Sequence, residues 1–209
     1  KVNGKKKMRK FLKRSLDTYL TSRTFESKRE NALMYNDGQG YIRYQKGSLI
    51  FYALSDYIGE KKLNKALKKY VNKVAFQEPP YTTTIDLVNH VKEVTPDSLN
   101  YLIKDMFETI TLYQNKIVST ESKKLENGKY QVDIEFKVSK YRNDEKGKIF
   151  YGDQERDSIS FKTEEMKKPE YSVFLSDYVD VGIFGEDDDK ETELYLKKHK
   201  ISSINNKVS

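Results

Sequence analysis

The segment Tyr130-Gln-Val-Asp-Ile-Glu-Phe-Lys-Val138 distinguishes the second half of the chain from the first. Its apolar residues alternate strictly with polar ones, which is the period of a strand with one buried face. Asn127-Gly128 before it is a hairpin signal, and residues 143–147 after it form another turn signal. Short strands at regular spacing indicate an antiparallel β-sandwich. The further strands are predicted at residues 117–124, 148–151, 157–162, 172–175 and 179–183.

The residues before about Leu112 follow the helical period instead. An apolar stripe at three- and four-residue spacing runs through residues 8–20, and residues 21–40 are predicted to be a loop. The helical period returns at Ser48 and ends at Gly59, a glycine suited to a left-handed helix cap. Three more helices are predicted: one with an apolar stripe at residues 63–71, one capped by Thr84 and running to about Val91, and one that starts at Thr95-Pro96.

The change of period predicts an α+β chain with a helical segment at residues 1–112 and a β-sandwich at residues 113–209. The 209 residues, 36% of them hydrophobic, suffice for one large domain or two small ones. The net charge of +7 comes from basic residues interleaved with acidic ones, which favours a solvated surface over a nucleic-acid partner. The chain has no cysteine, so disulfides and thiolate metal sites are excluded. No apolar run approaches the roughly 18 residues of a membrane span, so the segment is expected to be soluble.

The candidate catalytic residue is Tyr44, which precedes Lys46-Gly47 at the mouth of the apolar helix. Peptide hydrolysis passes through a tetrahedral intermediate with a negative oxygen, and a neutral donor near that oxygen lowers the barrier. A tyrosine hydroxyl suits this role because its ordinary pKa of about 10 keeps it protonated at neutral pH. The alternative is that Tyr44 is one of 16 tyrosines and packs a loop against a helix. The flanking Arg43 and Lys46 either orient the tyrosine, neutralise a substrate carboxylate or form structural salt bridges.

The segment Tyr44-Gln45-Lys46-Gly47 resembles the Tyr-x-Lys-Gly segment of the gluzincin zinc aminopeptidases, the family of membrane alanyl aminopeptidase and leukotriene A4 hydrolase. The resemblance implies that the helical residues are the C-terminal part of a thermolysin-like catalytic domain, in which Tyr44 stabilises the oxyanion. Other segments are similar to one branch of this family, the bacterial proteins in which an aminopeptidase-like domain is fused to an ABC-type transporter permease. These segments are residues 54–67, 76–83, 107–113, 180–185 and 195–200.

The zinc motif His-Glu-x-x-His does not occur in the chain. In the family the zinc ligands, the general base and a Gly-x-Met-x-Asn substrate motif precede the tyrosine, so the resemblance implies that they lie before Lys1 in a longer parent protein. It implies that the parent binds one zinc ion and releases amino-terminal residues from peptide substrates, while this chain binds no cofactor and contributes no metal ligand.

A parent that has lost its zinc ligands would be a catalytically inactive peptide-binding or scaffolding domain attached to a transporter. The resemblance places either kind of parent in the bacterial inner membrane, through transmembrane segments outside this chain. By analogy with secreted and periplasmic relatives, this domain is expected on the extracytoplasmic side.

The remaining candidate residues carry weaker signals. His90 and Glu93 share a helix face, but a zinc site requires at least three protein ligands, so they are predicted to be a surface pair. The run Asp187-Asp188-Asp189 lacks the spaced oxygens and the glycine of a calcium loop, so residues 185–193 are predicted to be a solvated acidic loop. His199 lies in a lysine-rich segment and is assigned no role.

Overall fold

The structure, a computed structural model, describes residues 4–151, 175–187 and 190–209. Helices come first and antiparallel strands follow, which confirms the predicted α+β class. The contacts divide the chain into two compact units, Lys1–Thr111 with Asn143–Lys148, and Leu112–Arg142 with Ile149–Ser209. None of the helices in the described ranges is long and apolar enough to cross a membrane.

The first unit is built from helices and short helical turns. The α-helices are α1 (Gly4–Thr24), α2 (Gly47–Ile58), α3 (Glu60–Val74), α4 (Thr84–Lys92) and α5 (Asn100–Ile103). A π-helical turn, Tyr41–Lys46, runs directly into α2, and a second one, Lys104–Glu108, follows α5. Two 3₁₀ turns, Leu33–Tyr35 and Asp97–Leu99, precede them along the chain.

The apolar stripes of α2, α3 and α4 meet in one core, as the sequence period predicts. The stripe predicted on α1 does not join this core: Tyr19 is buried, but Phe11, Leu16 and Leu20 are 55%, 43% and 40% exposed. On α3, Leu63 and Ala66 are buried while the five lysines between residues 61 and 69 are exposed. Gly59 separates α2 from α3 with φ at 90°, a conformation that favours glycine and ends the helix there. The buried core residues are Leu33, Ile42, Ile50, Leu54, Ile58, Leu63, Val88, Val91, Ile103 and Phe107.

Three helix starts differ from the prediction. The helix expected from Ser48 begins at Tyr41, as a π-helical turn. The cap of α4 is Thr83 rather than Thr84, because Asp86 lies three residues after Thr83 and accepts a hydrogen bond from its N–H at 2.8 Å. Thr83 and Thr84 have the same capping group, so the position of Asp86 determines which of them is the cap.

Thr95 does not cap the helix that follows it. Its hydroxyl donates to the Val91 carbonyl at 2.8 Å, so Thr95 closes the end of α4. Pro96 then precedes the 3₁₀ turn Asp97–Leu99 instead of opening an α-helix. The signal Thr95-Pro96 therefore precedes a short 3₁₀ turn, and the α-helix α5 begins only at Asn100.

The second unit contains the strands. Within the described residues they are β1 (Ile110–Lys124), β2 (Tyr130–Asn143), β3 (Ile149–Tyr151), β4 (Asp177–Asp187), β5 (Lys190–Ile201) and β6 (Asn205–Val208). The first three form a sheet in the order β1-β2-β3, and β6 adds to β2 antiparallel. The antiparallel pair β4-β5 forms a second sheet. The strand predicted at residues 157–162 and most of the one at residues 172–175 lie outside the described residues.

The prediction of an acidic loop at residues 185–193 is wrong. β4 continues to Asp187 and β5 begins at Lys190, and the register pairs Gly185 with Thr192 and Asp187 with Lys190. Acidic composition disfavours a strand only weakly, because strand formation depends on the partner strand as much as on local propensity. The partner here is the next segment of the chain.

One hydrophobic core joins the two sheets of the second unit. Its buried residues are Ile134, Phe136, Val138, Leu175, Val181 and Ile201. This is the packing of two sheets through their inner faces that a sandwich requires. A buried ion pair adds to it, since Lys140 Nζ on β2 lies 3.1 Å from Asp177 Oδ2 on β4. The Tyr113 hydroxyl on β1 donates to the other Asp177 oxygen at 2.9 Å, so one carboxylate ties three strands together.

Candidate functional site

Tyr44 lies in the π-helical turn Tyr41–Lys46. The Gly47 N–H at the end of this turn donates to the Ile42 carbonyl, five residues earlier, as well as to the Tyr44 carbonyl. Short π-helical turns of this kind occur frequently at functional sites. The sequence pattern gave no indication of the wider turn, because its apolar spacing is that of an ordinary helix start.

The Tyr44 side chain is exposed while the backbone around it is anchored. Tyr44 is 64% exposed, whereas Ile42 is fully buried and Lys46 is only 5% exposed. Within the described part of the chain, no hydrogen bond involves the Tyr44 hydroxyl. The ring contacts the Arg43 guanidinium, whose carbon lies 4.7 Å from the ring centre in a cation–π arrangement. The Tyr44 side chain is therefore accessible to a bound group, on a turn whose residues Ile42 and Lys46 are buried.

Lys46 belongs to a buried cluster of charged and phenolic side chains, the Glu30 cluster: Tyr19, Arg23, Glu30, Tyr41 and Lys46. Glu30 accepts hydrogen bonds from the Tyr19 hydroxyl at 2.5 Å and from Arg23 Nε at 2.6 Å. Lys46 Nζ lies 3.9 Å from a Glu30 oxygen and has no hydrogen-bond partner among the described residues. Of the alternatives for the two flanking residues, a structural ion pair describes Lys46, whereas no ion pair of Arg43 occurs among the described residues.

Burial shifts the pKa values of this cluster. Burial lowers the pKa of Lys46 to about 8, against the opposing effect of the Glu30 charge. Burial also raises the pKa of Tyr19, and the Glu30 carboxylate beside it adds to the increase. The pKa of Tyr41 is raised by the same two causes in the same order. Both phenols therefore remain protonated at neutral pH, whereas the pKa of Lys46 lies close to neutral.

Lys46→Met is expected to change the pH dependence of stability. The pKa of an unfolded lysine is about 10.4, so between pH 8 and that value the unfolded chain binds more protons and stability rises with pH. Relative to the variant, the wild type should gain about 2 kcal/mol in the free energy of unfolding from pH 7 to pH 9.5. Urea unfolding followed by circular dichroism measures this difference. Above pH 10, ionisation of Tyr19 and Tyr41 in the unfolded state acts in the opposite direction, because their folded pKa values are raised.

At pH 7 the same variant should be at least as stable as the wild type. Methionine removes a buried ammonium that lacks hydrogen bonds, while Glu30 keeps Arg23 and Tyr19 as partners. Equal pH profiles for the two proteins would show that Lys46 is hydrated and carries an ordinary charge.

A cavity of about 500 Å³ lies in the first unit next to the π-helical turn. Arg43, Gly47 and Phe51 border it, four residues apart along one face of the turn and α2. Ser48, one turn after Tyr44, also borders the cavity, although Tyr44 itself does not. The other bordering residues are Leu33, Asn36, Gly38, Thr84, Leu87 and Phe107.

The other sequence candidates have local partners. His90 is buried rather than on the surface: its Nδ1 lies 2.7 Å from the Asp86 carbonyl oxygen of its own helix. Glu93 is exposed and pairs with Lys69. His199 Nε2 lies 2.9 Å from the Tyr195 hydroxyl. No group of three or more His, Cys, Asp or Glu side chains is placed to hold a metal ion within the described ranges.

Comparison with protein-family models, with curated proteins and with solved structures gives no match to this chain.

Neither the buried Glu30 nor the cavity was predicted from the sequence. Glu30 lies in the stretch predicted as a loop, where no period distinguishes a buried carboxylate from a solvated one. Its partners Tyr19 and Arg23 lie on α1 and Lys46 lies on the π-helical turn, so only the fold brings them together.

Proposed function

We propose that this chain is the C-terminal part of a zinc aminopeptidase-like domain, and that Tyr44 donates a hydrogen bond to the oxyanion of the tetrahedral intermediate. The observation that carries the proposal is the exposed Tyr44 side chain, whose hydroxyl has no hydrogen-bond partner in the described part of the chain, on a turn in which Ile42 and Lys46 are buried. A donor held in place before the reaction stabilises developing charge without reorganisation. The neighbouring Arg43 guanidinium adds positive potential beside the same ring.

In this proposal the chain supplies the donor and the parent supplies the metal ligands. Zinc held by the parent would supply Lewis acidity for hydrolysis. The donor set found here does not fit a zinc site, because it lacks a cluster of three ligands in the described residues. As the resemblance implies, the proposal assigns the ligands and the general base to a longer parent in the bacterial inner membrane, with this domain on the extracytoplasmic side.

The second candidate is a peptide-binding or scaffolding domain without catalysis. The cavity beside Arg43 favours it, since its walls come from this chain and require no metal. The parent sequence within about a hundred residues before Lys1 discriminates between the two. His-Glu-x-x-His with a glutamate roughly twenty residues later supports the enzyme, and loss of any of the three ligands supports the scaffold.

The purified 209-residue chain is expected to bind no stoichiometric zinc. Its described residues lack a three-ligand cluster, and a tight zinc site requires at least three protein ligands. Elemental analysis after incubation with excess zinc and desalting measures the bound metal. A parent that carries His-Glu-x-x-His should retain one zinc per chain under the same conditions. One tightly bound zinc in the 209-residue chain would contradict the assignment of the ligands to the parent.

A further inference from the structure

The cavity next to the π-helical turn has a rigid apolar wall. Phe107 is 1% exposed, and its ring meets Phe51 edge to face with the ring centres 5.9 Å apart. Leu33 and Leu87 extend the apolar lining. The volume of about 500 Å³ lies within the range of about 300 to 1,000 Å³ that is usual for small-molecule sites. An apolar group of side-chain size therefore fits the cavity.

Arg43 gives this apolar cavity one charged border. Two other arginines of the same unit are paired with carboxylates, Arg23 with Glu30 and Arg29 with Glu145. Arg43 has no such partner among the described residues, and its guanidinium lies over the face of the Tyr44 ring. Stacking uses the face of a guanidinium and leaves its N–H donors, which lie in its plane, free to bind a carboxylate in a bidentate fashion.

Two neutral polar residues on the border match the same kind of ligand. Asn36 Oδ1 accepts a hydrogen bond from the Gln39 N–H, which leaves its amide N–H groups as donors. Thr84 presents a hydroxyl that has no hydrogen bond within the described residues. The border thus offers donors and a positive charge but no carboxylate, so an anionic oxygen is favoured there over an ammonium group.

We propose that this cavity binds a small carboxylate with an apolar body, such as the carboxyl-terminal residue of a peptide. Arg43 holds the carboxylate, and the partly exposed Phe51 and Leu87 hold the apolar group. Binding requires neither zinc nor hydrolysis, so the site does not rest on the role proposed for Tyr44. All residues that border the site belong to this chain, so the 209-residue chain should bind the ligand without the parent.

The test compares N-acetyl-leucine with its uncharged analogue N-acetyl-leucinamide. The two probes have the same apolar body and differ in the carboxylate. Titration of the ¹⁵N-labelled 209-residue chain, followed by NMR, should give a dissociation constant of about millimolar for the acid, as expected for a ligand of this size. The amide should bind at least about tenfold more weakly, because it lacks the charge-assisted bidentate contact. The shifted backbone amides should include those of Phe51 and Leu87.

Arg43→Gln should remove the preference for the acid, so that the two probes bind within about twofold of each other. Arg14→Gln on α1 is the matched control, since Arg14 is also exposed and the variant carries the same change of net charge. It should retain the preference. Ser48→Phe, which places a ring at the cavity border, should abolish the binding of both probes while the NMR spectrum stays that of a folded chain.

Three results would overturn the proposal. The first is equal binding of acid and amide to the wild type. The second is an acid preference that survives in Arg43→Gln. The third is a set of shifts that excludes the cavity wall. None of these results bears on the role proposed for Tyr44, which is tested by the rate of peptide hydrolysis in the parent.

Discussion

Tyr44→Phe is expected to lower the peptide turnover of a parent that carries the zinc ligands by about 10²- to 10³-fold, the usual effect of removing one oxyanion donor. The substitution deletes only a hydroxyl that is exposed and has no hydrogen bond within the described residues, so the fold should be unaffected. The apparent affinity for substrate should change less than kcat, because the hydrogen bond strengthens only as the oxygen gains charge. Steady-state kinetics on an amino-acyl anilide separate kcat from KM.

Tyr52→Phe is the matched control for this experiment. Tyr52 lies on α2, is 44% exposed and loses the same hydroxyl, but it is eight residues beyond Tyr44. Its turnover should equal that of the wild type. If Tyr44→Phe also hydrolyses peptides near the original rate, Tyr44 is a packing residue and the proposed catalytic role is wrong.

Several helices and strands of this chain were predictable because they have a one-sided apolar pattern. Leu63 and Ala66 lie on the apolar stripe of a helix, and Ile134 lies in the alternating pattern of a strand. All three are buried in the structure, as these patterns predict. The end of α2 at Gly59 was predictable for a different reason, since its positive φ favours glycine. Boundaries without such signals, such as the start of the π-helical turn at Tyr41, were not.

The candidate site was predictable only in part. Tyr44 was identified by its neighbours in sequence, Lys46 and Gly47, and its exposure could not be read from them. The roles of the two flanking cations could not be separated either, because both precede the same helix. The fold distinguishes them: Lys46 is buried near Glu30, while Arg43 stacks on Tyr44 at the border of the cavity. Lys46 is buried by contacts between α1 and the π-helical turn, and no sequence pattern near Lys46 predicts these contacts.

Glu30→Leu is expected to cost the first unit about 3 to 5 kcal/mol in the free energy of unfolding, the range found when one partner of a buried ion pair is removed. Glu30 is 5% exposed and accepts hydrogen bonds from Tyr19 and Arg23, with Lys46 3.9 Å away. Leucine leaves the Tyr19 hydroxyl and Arg23 Nε without their hydrogen-bond acceptor, and Lys46 without the nearby negative charge. Urea unfolding at pH 7, followed by circular dichroism at a helix wavelength, measures the loss in the unit that holds the helices.

The double variant Glu30→Leu with Lys46→Met separates the charge effect from a loss of packing. Removing Lys46 as well deletes one of the stranded cations, so the double variant should be more stable than Glu30→Leu alone, although Lys46→Met is close to neutral in the wild type. A cavity or a strained loop would instead give additive effects. Glu145→Leu, which removes the exposed partner of Arg29, should change stability little, because exposed ion pairs contribute little. If Glu30→Leu behaves like Glu145→Leu, the cluster is hydrated, and the anchoring of the Tyr44 turn through Lys46 must come from its apolar neighbours alone.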